Sequence, residues 1–564
     1  MSKQIDQLLD QLDEAKLHFG ERNAKKILAI LGRLKRSDFD DAQSLVRFHE
    51  LLLFLRAYPE GPLVRKTTES LLQTFGGRVR KLAETGTDIS SFEPPEVSGI
   101  AGTSVSDTFT FNITRWLVQK HSSQLSFDWD WFEDENRLAE TWPRFMPLLE
   151  EDAFVEANVP YVAWLRSARA RMPELPWLIN RFERLPLTDD EKSELYDSQK
   201  LYLRWRPAYG TSRTGMRLPV RKIFYHRDKL IARRDVQFRE ELLAPPTEIF
   251  PLSRKQGRQI LDMARETSTL RYRELYGFTH GDESRVLRTN LGRGVDLFLC
   301  GLPSARRLPI RAYHAAMIFK NGVPVGYFEG LSLFERMESG FNFYYGFREG
   351  ETAWIYARTL NVFHHLLGVS AFSLDPYQIG FENEEGIESG AFWFYRKLGF
   401  RPVRKDLFQL TEKEELKIAT RKDYRTPARA LRKLAQGPMI FELNNSSEGD
   451  WDGFSVRSIG LRVQRQMASR HRGDAMQIRE QSAKAIIETL EIRRSDLNDA
   501  QLKAVGELAL VLNLIPDFKK WVKVEQKQVA RIVLAKAGRD ESTYLRLMQR
   551  HARLRKAIIT LGSK

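Results

Sequence analysis

The chain has 564 residues, 42% hydrophobic and 29% charged, with a formal net charge of +15. That length exceeds what one hydrophobic core sustains, so several domains are expected, and the interspersed charge excludes global disorder. No run of about 18 apolar residues occurs and the first residues, Met1-Ser2-Lys3-Gln4-Ile5, lack a basic-then-apolar leader, giving the expectation of a cytoplasmic chain with no membrane insertion; the lone Cys300 excludes an internal disulfide and a thiolate metal cluster.

Residues 1–85 carry apolar residues at helical spacing, Ile27-Leu28-Ile30-Leu31-Leu34 and then Leu51 to Leu55. They predict an all-helical opening, with Ser37 and Asp38 as N-cap candidates for the second of these helices and Pro59-Glu60-Gly61-Pro62 as its stop. Residues 86–244 are mixed and match no recognisable fold. Their acidic and aromatic run from Asp128 to Asp134 lacks the spacing of a metal loop and reads as a cap on the next helix. Pro245-Pro246 marks a boundary, followed by a helix over about 253–267 and a strand-rich unit ending near residue 405. Residues 406–564 read as a basic, mainly helical region with one strand signal, Met439-Ile440-Phe441-Glu442-Leu443, and a loop over 444–450. The segment Arg36 to Gln43 is echoed by Arg494 to Gln501, as two helix starts sharing one capping chemistry would produce.

The clearest pattern lies in residues 312–403. His314 to Phe319 and Val323 to Phe328 are strand-like runs around Asn321-Gly322, a strong hairpin signal. Phe341 to Tyr345 reads as a strand. A helix follows with Ala353, Tyr356, Ala357, Leu360, Phe363 and Leu367 on its apolar face and Gly368 as its C-cap. Val369 to Leu374 is a further strand, and a second helix over about 390–397 stops at Gly399.

This succession, above all Ala391-Phe392-Trp393-Phe394-Tyr395-Arg396-Lys397-Leu398-Gly399-Phe400, resembles the C-terminal half of the GNAT acyltransferase superfamily. The resemblance implies an α+β fold class, a central mixed sheet with helices between helical N- and C-terminal regions. It also implies acetyl-CoA or another acyl-CoA as co-substrate and an amine as acyl acceptor. The pyrophosphate would sit at the N-terminus of the helix after the fourth strand, on Arg348, Gly350, Glu351, Thr352 and Ala353, where free backbone N–H groups suit an anion. Arg348 and Ala353 fit the ends of the family's loop. Glu351 stands where its central glycine belongs, and with Glu349 would set two carboxylates beside the pyrophosphate. Tyr395 falls where the family has a tyrosine that protonates the departing thiolate, and Ala391 also matches, while Glu388 replaces an asparagine. Glu329 and Glu338, on the middle strands, are the candidates for the base the family often uses there.

Two functions follow: an acyl-CoA-dependent N-acyltransferase of unknown substrate, or a non-catalytic GNAT-like scaffold with a degenerate CoA site that binds a protein or small ligand, which Glu351 favours. A third reading assigns nucleic acid to the basic C-terminal region through Arg462, Arg465, Arg470, Arg472, Arg550, Arg553, Arg555 and Lys556, with no zinc-finger, RNA-recognition or helix-turn-helix spacing to support it. The loop Tyr276 to Ser284, with His280, is either a pocket lining or a solvated turn. His364 and His365 are adjacent on one helix and cannot both face a metal. No Walker loop, dinucleotide fingerprint or nucleophile setting is present.

Overall fold

The computed structural model describes residues 2–147, 159–444 and 448–563, so residues 445–447 of the loop expected over 444–450 lie outside the described residues. The fold is α+β: a nine-stranded mixed sheet among many helices.

The first 85 residues form five helices, α1 (Ser2–Ala15), α2 (Glu21–Arg36), α3 (Ala42–Ala57), α4 (Pro62–Gln73) and α5 (Phe75–Glu84). The run Leu51 to Leu55 leaves α3 apolar on every side, as a helix enclosed by its neighbours requires, and it is buried along nearly its whole length. Its N-cap is Asp41, which accepts the Ser44 N–H at 2.7 Å. Ser37 and Asp38 do not cap it; Asp38 instead pairs with Lys81 at 2.7 Å. The stop falls as expected, with α3 ending at Ala57 and Pro62 opening α4. The echoed segment near the end is capped by Asn498, one place earlier in the echo than Asp41, so the two starts differ in detail.

Residues 105–205 supply a small antiparallel sheet, order β1-β3-β2, from β1 (Val105–Asp107), β2 (Leu125–Phe127) and β3 (Leu203–Trp205). It belongs to a separate core built around Phe111, Trp142, Phe182 and Trp205. The acidic run is structural here: Asp128 is buried against Arg204 at 2.5 Å, and Asp134 caps the turn Glu135–Leu138.

The large sheet has the order β11-β12-β10-β9-β8-β7-β6-β5-β4. Its strands are β4 (Ile249–Pro251), β5 (Val286–Gly292), β6 (Val295–Cys300), β7 (Ala312–Lys320), β8 (Val323–Leu333), β9 (Arg336–Phe343), β10 (Ala371–Leu374), β11 (Arg401–Pro402) and β12 (Met439–Glu442). Every neighbouring pair is antiparallel except β9 and β10. β12 comes from beyond residue 405 and inserts between β10 and β11, so the sheet does not close where the sequence suggested. Helix Thr352–Leu367 joins β9 to β10 and packs Tyr356 against Phe341.

Asn321 and Gly322 turn the β7–β8 hairpin with φ of 50° and 81°, as a two-residue turn with both residues left-handed demands. The Asn321 amide donates to the Ala57 carbonyl at 2.8 Å, satisfying a C-terminal oxygen of α3. The hairpin is thus a dock for the N-terminal helices.

Six helices over 456–562 complete the chain. Part of the basic surface expected there is engaged within the chain: the partly buried Arg462 donates to the Leu561 and Ser563 carbonyls, the partly buried Arg555 pairs with Glu335 and Asp450, and Arg553, still exposed, pairs with Glu525. Among the described residues no helix is long and apolar enough to cross a membrane.

A β-carbon at Gly322 would lie 2.3 Å from the Leu218 carbonyl oxygen, on a backbone that already disfavours one. Gly322→Ala is expected to lower stability by more than ~1 kcal/mol, read as a lower urea midpoint with an unchanged slope.

Candidate functional site

The parallel pair determines where the sheet opens. β9 and β10 stay in register only over Arg336–Glu338 against Ala371–Ser373. β9 then continues to Phe343 while β10 ends at Leu374, and the two part. A cleft of about 200 Å³ fills the gap, bounded by Phe341 and Asn342 of β9, Arg348 and Thr352 at the start of the helix, Gln378, and Tyr395. The first-turn N–H groups of that helix have no intrahelical acceptor, which makes this end of the cleft suited to an anion.

Tyr395 lies on helix Ala391–Arg396, buried, with its ring 5.5 Å from that of Tyr356. Burial pushes its phenol above the ordinary tyrosine range, so it holds its proton at neutral pH. Its oxygen accepts from Gln378 Nε2 at 3.0 Å. Gln378 also donates to the Phe341 carbonyl at 2.8 Å and accepts the Phe341 N–H at 3.3 Å. One side-chain amide therefore takes the place of the missing strand along β9. Sequence reasoning missed Gln378; the available signal was Asp375-Pro376 directly after a strand, and Asp375 caps the turn Pro376–Ile379 that carries it.

Glu329 of β8 stands opposite Gly340 of β9, on the face of the sheet away from Phe341. Burial raises its carboxyl above the usual range, and it accepts a hydrogen bond from the Tyr313 hydroxyl, which itself accepts the Gly277 N–H at 3.1 Å. A β-carbon at Gly340 would be 3.8 Å from Gln378 Oε1 and 3.9 Å from Glu329 Cβ. Glu329 and Gln378 therefore flank a bare patch of β9 at Gly340. Glu338, on the same face, lies where β9 is still paired with β10, between Arg311 at 3.4 Å and Arg336 at 3.6 Å, and does not reach the gap.

Of the five residues expected to hold a pyrophosphate, Arg348 and Thr352 line the cleft. Arg348 is engaged by Glu385 and donates to the Phe343 carbonyl at 3.3 Å. Ala353 is buried, and Gly350 lies under the Tyr58 hydroxyl, which leaves no room for a β-carbon.

Glu351 is fully buried and turned away from the cleft, with Arg293 Nε at 2.7 Å and Lys320 Nζ at 3.2 Å. Burial alone would raise its carboxyl, but Lys320 and Arg293 bring it below the usual range. Glu349 is exposed and pairs with Lys16, just past α1. The expected pair of carboxylates facing a pyrophosphate does not form, because both acids are drawn to other partners.

The remaining expectations resolve locally. The Tyr276 to Ser284 segment covers the Glu329 face through Gly277. His280 is lowered to about 4 by burial and nearby arginines. His364 and His365 bond backbone carbonyls, at Val369 and Ala244. Cys300 is buried, which pushes its thiol up to about 12 and leaves it inert. Comparison with protein-family models, curated proteins and solved structures gives no match to this chain.

Breaking a buried pair leaves its partner charge uncompensated. Lys320→Met is therefore expected to cost about 3–5 kcal/mol in chemical denaturation, and Lys320→Met with Glu351→Gln to recover part of it. Because the folded Glu351 value is below its unfolded one, its contribution is present above pH ~4.5 and lost as pH falls through the folded value. The Glu351→Gln variant should lack that acid-side loss.

Proposed function

We propose that the chain is an acyl-CoA-dependent N-acyltransferase of GNAT-like architecture, acting on an amine. The observation that carries this reading is the gap between β9 and β10, with a helix N-terminus and a protonated Tyr395 on one side of β9 and the partly buried Glu329 on the other. Glu329 takes a proton from the acceptor ammonium. The freed amine attacks the thioester carbonyl, the carbon–sulfur bond breaks, and Tyr395 gives its proton to the departing thiolate. The pantetheine arm of the CoA, which carries amides, would displace Gln378 from the Phe341 backbone, and Arg348 would exchange Glu385 for a phosphate oxygen.

A second reading, a non-catalytic scaffold, is favoured by those same two contacts, since Gln378 already satisfies β9 and Arg348 is already paired. Calorimetric titration with acetyl-CoA and longer acyl-CoA molecules separates the two. The enzyme reading expects saturable binding, weakened about ten-fold or more in Arg348→Ala; absence of binding by the folded protein supports the scaffold.

For the enzyme, Tyr395→Phe is expected to lower kcat on the order of 100-fold. The raised Glu329 value places the acid limb of kcat/KM at higher pH than an ordinary glutamate would, with activity rising as the carboxyl loses its proton. Glu329→Gln should abolish that limb.

A further inference from the structure

Beside the cleft, and sharing Asn342 and Glu385 with it, is a recess of about 20 Å³ lined also by Arg271, Arg273 and Tyr344. Two of its lining residues carry buried hydrogen-bond donors without acceptors, Arg271 Nε and the Tyr344 hydroxyl. Arg271 is 7% exposed and Tyr344 5%, and the guanidinium lies 3.7 Å from the centre of the Tyr344 ring. Arg271 does donate through Nη1, to the Thr267 carbonyl at 2.8 Å. Buried donors of this kind are rare unless something that accepts from them belongs there.

The charge around the recess points the same way. Arg213, buried beneath it, pairs with Glu50 at 2.9 Å and leaves Nε and Nη1 without partners. Burial and the Arg213 charge press the Arg271 value down to about 9, the response of a guanidinium short of anions. Arg273 and Arg348 share Glu385. Glu96 lines the rim. Arg271 and Arg273 line the recess with Glu385 and Glu96, and counting the adjoining Arg213, Arg348 and Glu50 brings four guanidiniums together with three carboxylates.

We infer that this recess seats a carboxylate of the acyl acceptor, so that the acceptor is a small amino acid: an amine that also carries a carboxylate. The inference rests on the acyltransferase reading. A space of this size admits one or two oxygen atoms, which suits a planar carboxylate and not a tetrahedral phosphate. Position supplies the link to the chemistry. Asn342 is the register partner of Tyr327, whose hydroxyl accepts from Arg273 at 2.9 Å, and Glu329 follows Tyr327 on the same face of β8. Two residues of strand, about 7 Å, separate Asn342 on the wall of the recess from Gly340 opposite Glu329, a span that a short amino acid bridges.

The test uses the full chain, with ligand-observed NMR of glycine, β-alanine and 4-aminobutyrate, each against its carboxamide, alongside the acetyl-CoA titration. The wild-type protein is expected to bind at least one of the acids about ten-fold or more tightly than its amide, and Tyr344→Phe, which keeps the ring under Arg271, to lose about ten-fold in that affinity. Amides that bind as well as acids, or a Tyr344→Phe variant that binds the acids unchanged, overturn the seat. Acid binding that depends on Tyr344 in a protein that does not bind acetyl-CoA keeps the seat and overturns the acyltransferase; acetyl-CoA binding without discrimination of acids from amides does the reverse.

Discussion

A single buried carboxylate, Glu351, holds the parts of this protein in relation to one another. It lies immediately before the helix that lines the cleft, and its partners come from the β5–β6 turn, Arg293, and the end of β7, Lys320. Lys320 also lies 4.7 Å from the ring of Tyr58, just past α3. Two buried charges, Glu351 and Lys320, and the partly buried Arg293 satisfy one another, so each element must keep its place or leave an ion stranded in apolar surroundings. The N-terminal helices, the hairpin and the start of the cleft helix are therefore positioned together, and the Asn321 bond to Ala57 reinforces the same junction.

The cleft is a consequence of topology. In an otherwise antiparallel sheet, the β9 to β10 connection runs through a helix, and the shorter β10 leaves the end of β9 without a neighbour. Bare backbone is costly to bury, and Gln378 supplies the missing acceptor and donor. That plug ties Phe341 to Tyr395, so the state of the strand edge and the environment of the phenol are joined through one side chain. A ligand able to replace the Gln378 amide would alter both.

The strong positive charge is distributed in two ways. In the C-terminal helices, Arg462 and Arg555 are drawn partly inward by carbonyls and carboxylates, and Arg553 is neutralised at the surface by Glu525. Around the recess, arginines outnumber carboxylates, and the innermost of them, Arg213 and Arg271, are buried. A count over the whole chain cannot separate these cases, since the same residue type serves as a strut in one and as an unsatisfied donor in the other.

What the sequence determined by itself is local. The Asn321-Gly322 turn, the apolar stripe from Ala353 to Leu367 with its Gly368 cap, the α3 stop at Pro59 to Pro62 and the succession of strands and helices over 312–403 follow from backbone preference and periodicity, which act between near neighbours. Tertiary structure decided the rest. Glu351 was expected beside the cleft because it stands at the central-glycine position of the loop the resemblance implies, yet Lys320 and Arg293 attract it to the other side. Glu338 and Glu329 look alike along their strands, but only Glu329 lies opposite glycine at the place where the sheet opens. β12 read as an isolated strand until it was seen to separate β10 from β11. The donors of Arg271 and Tyr344 meet only in the folded chain, because the direction of a side chain and the charge it finds there depend on residues far away in sequence.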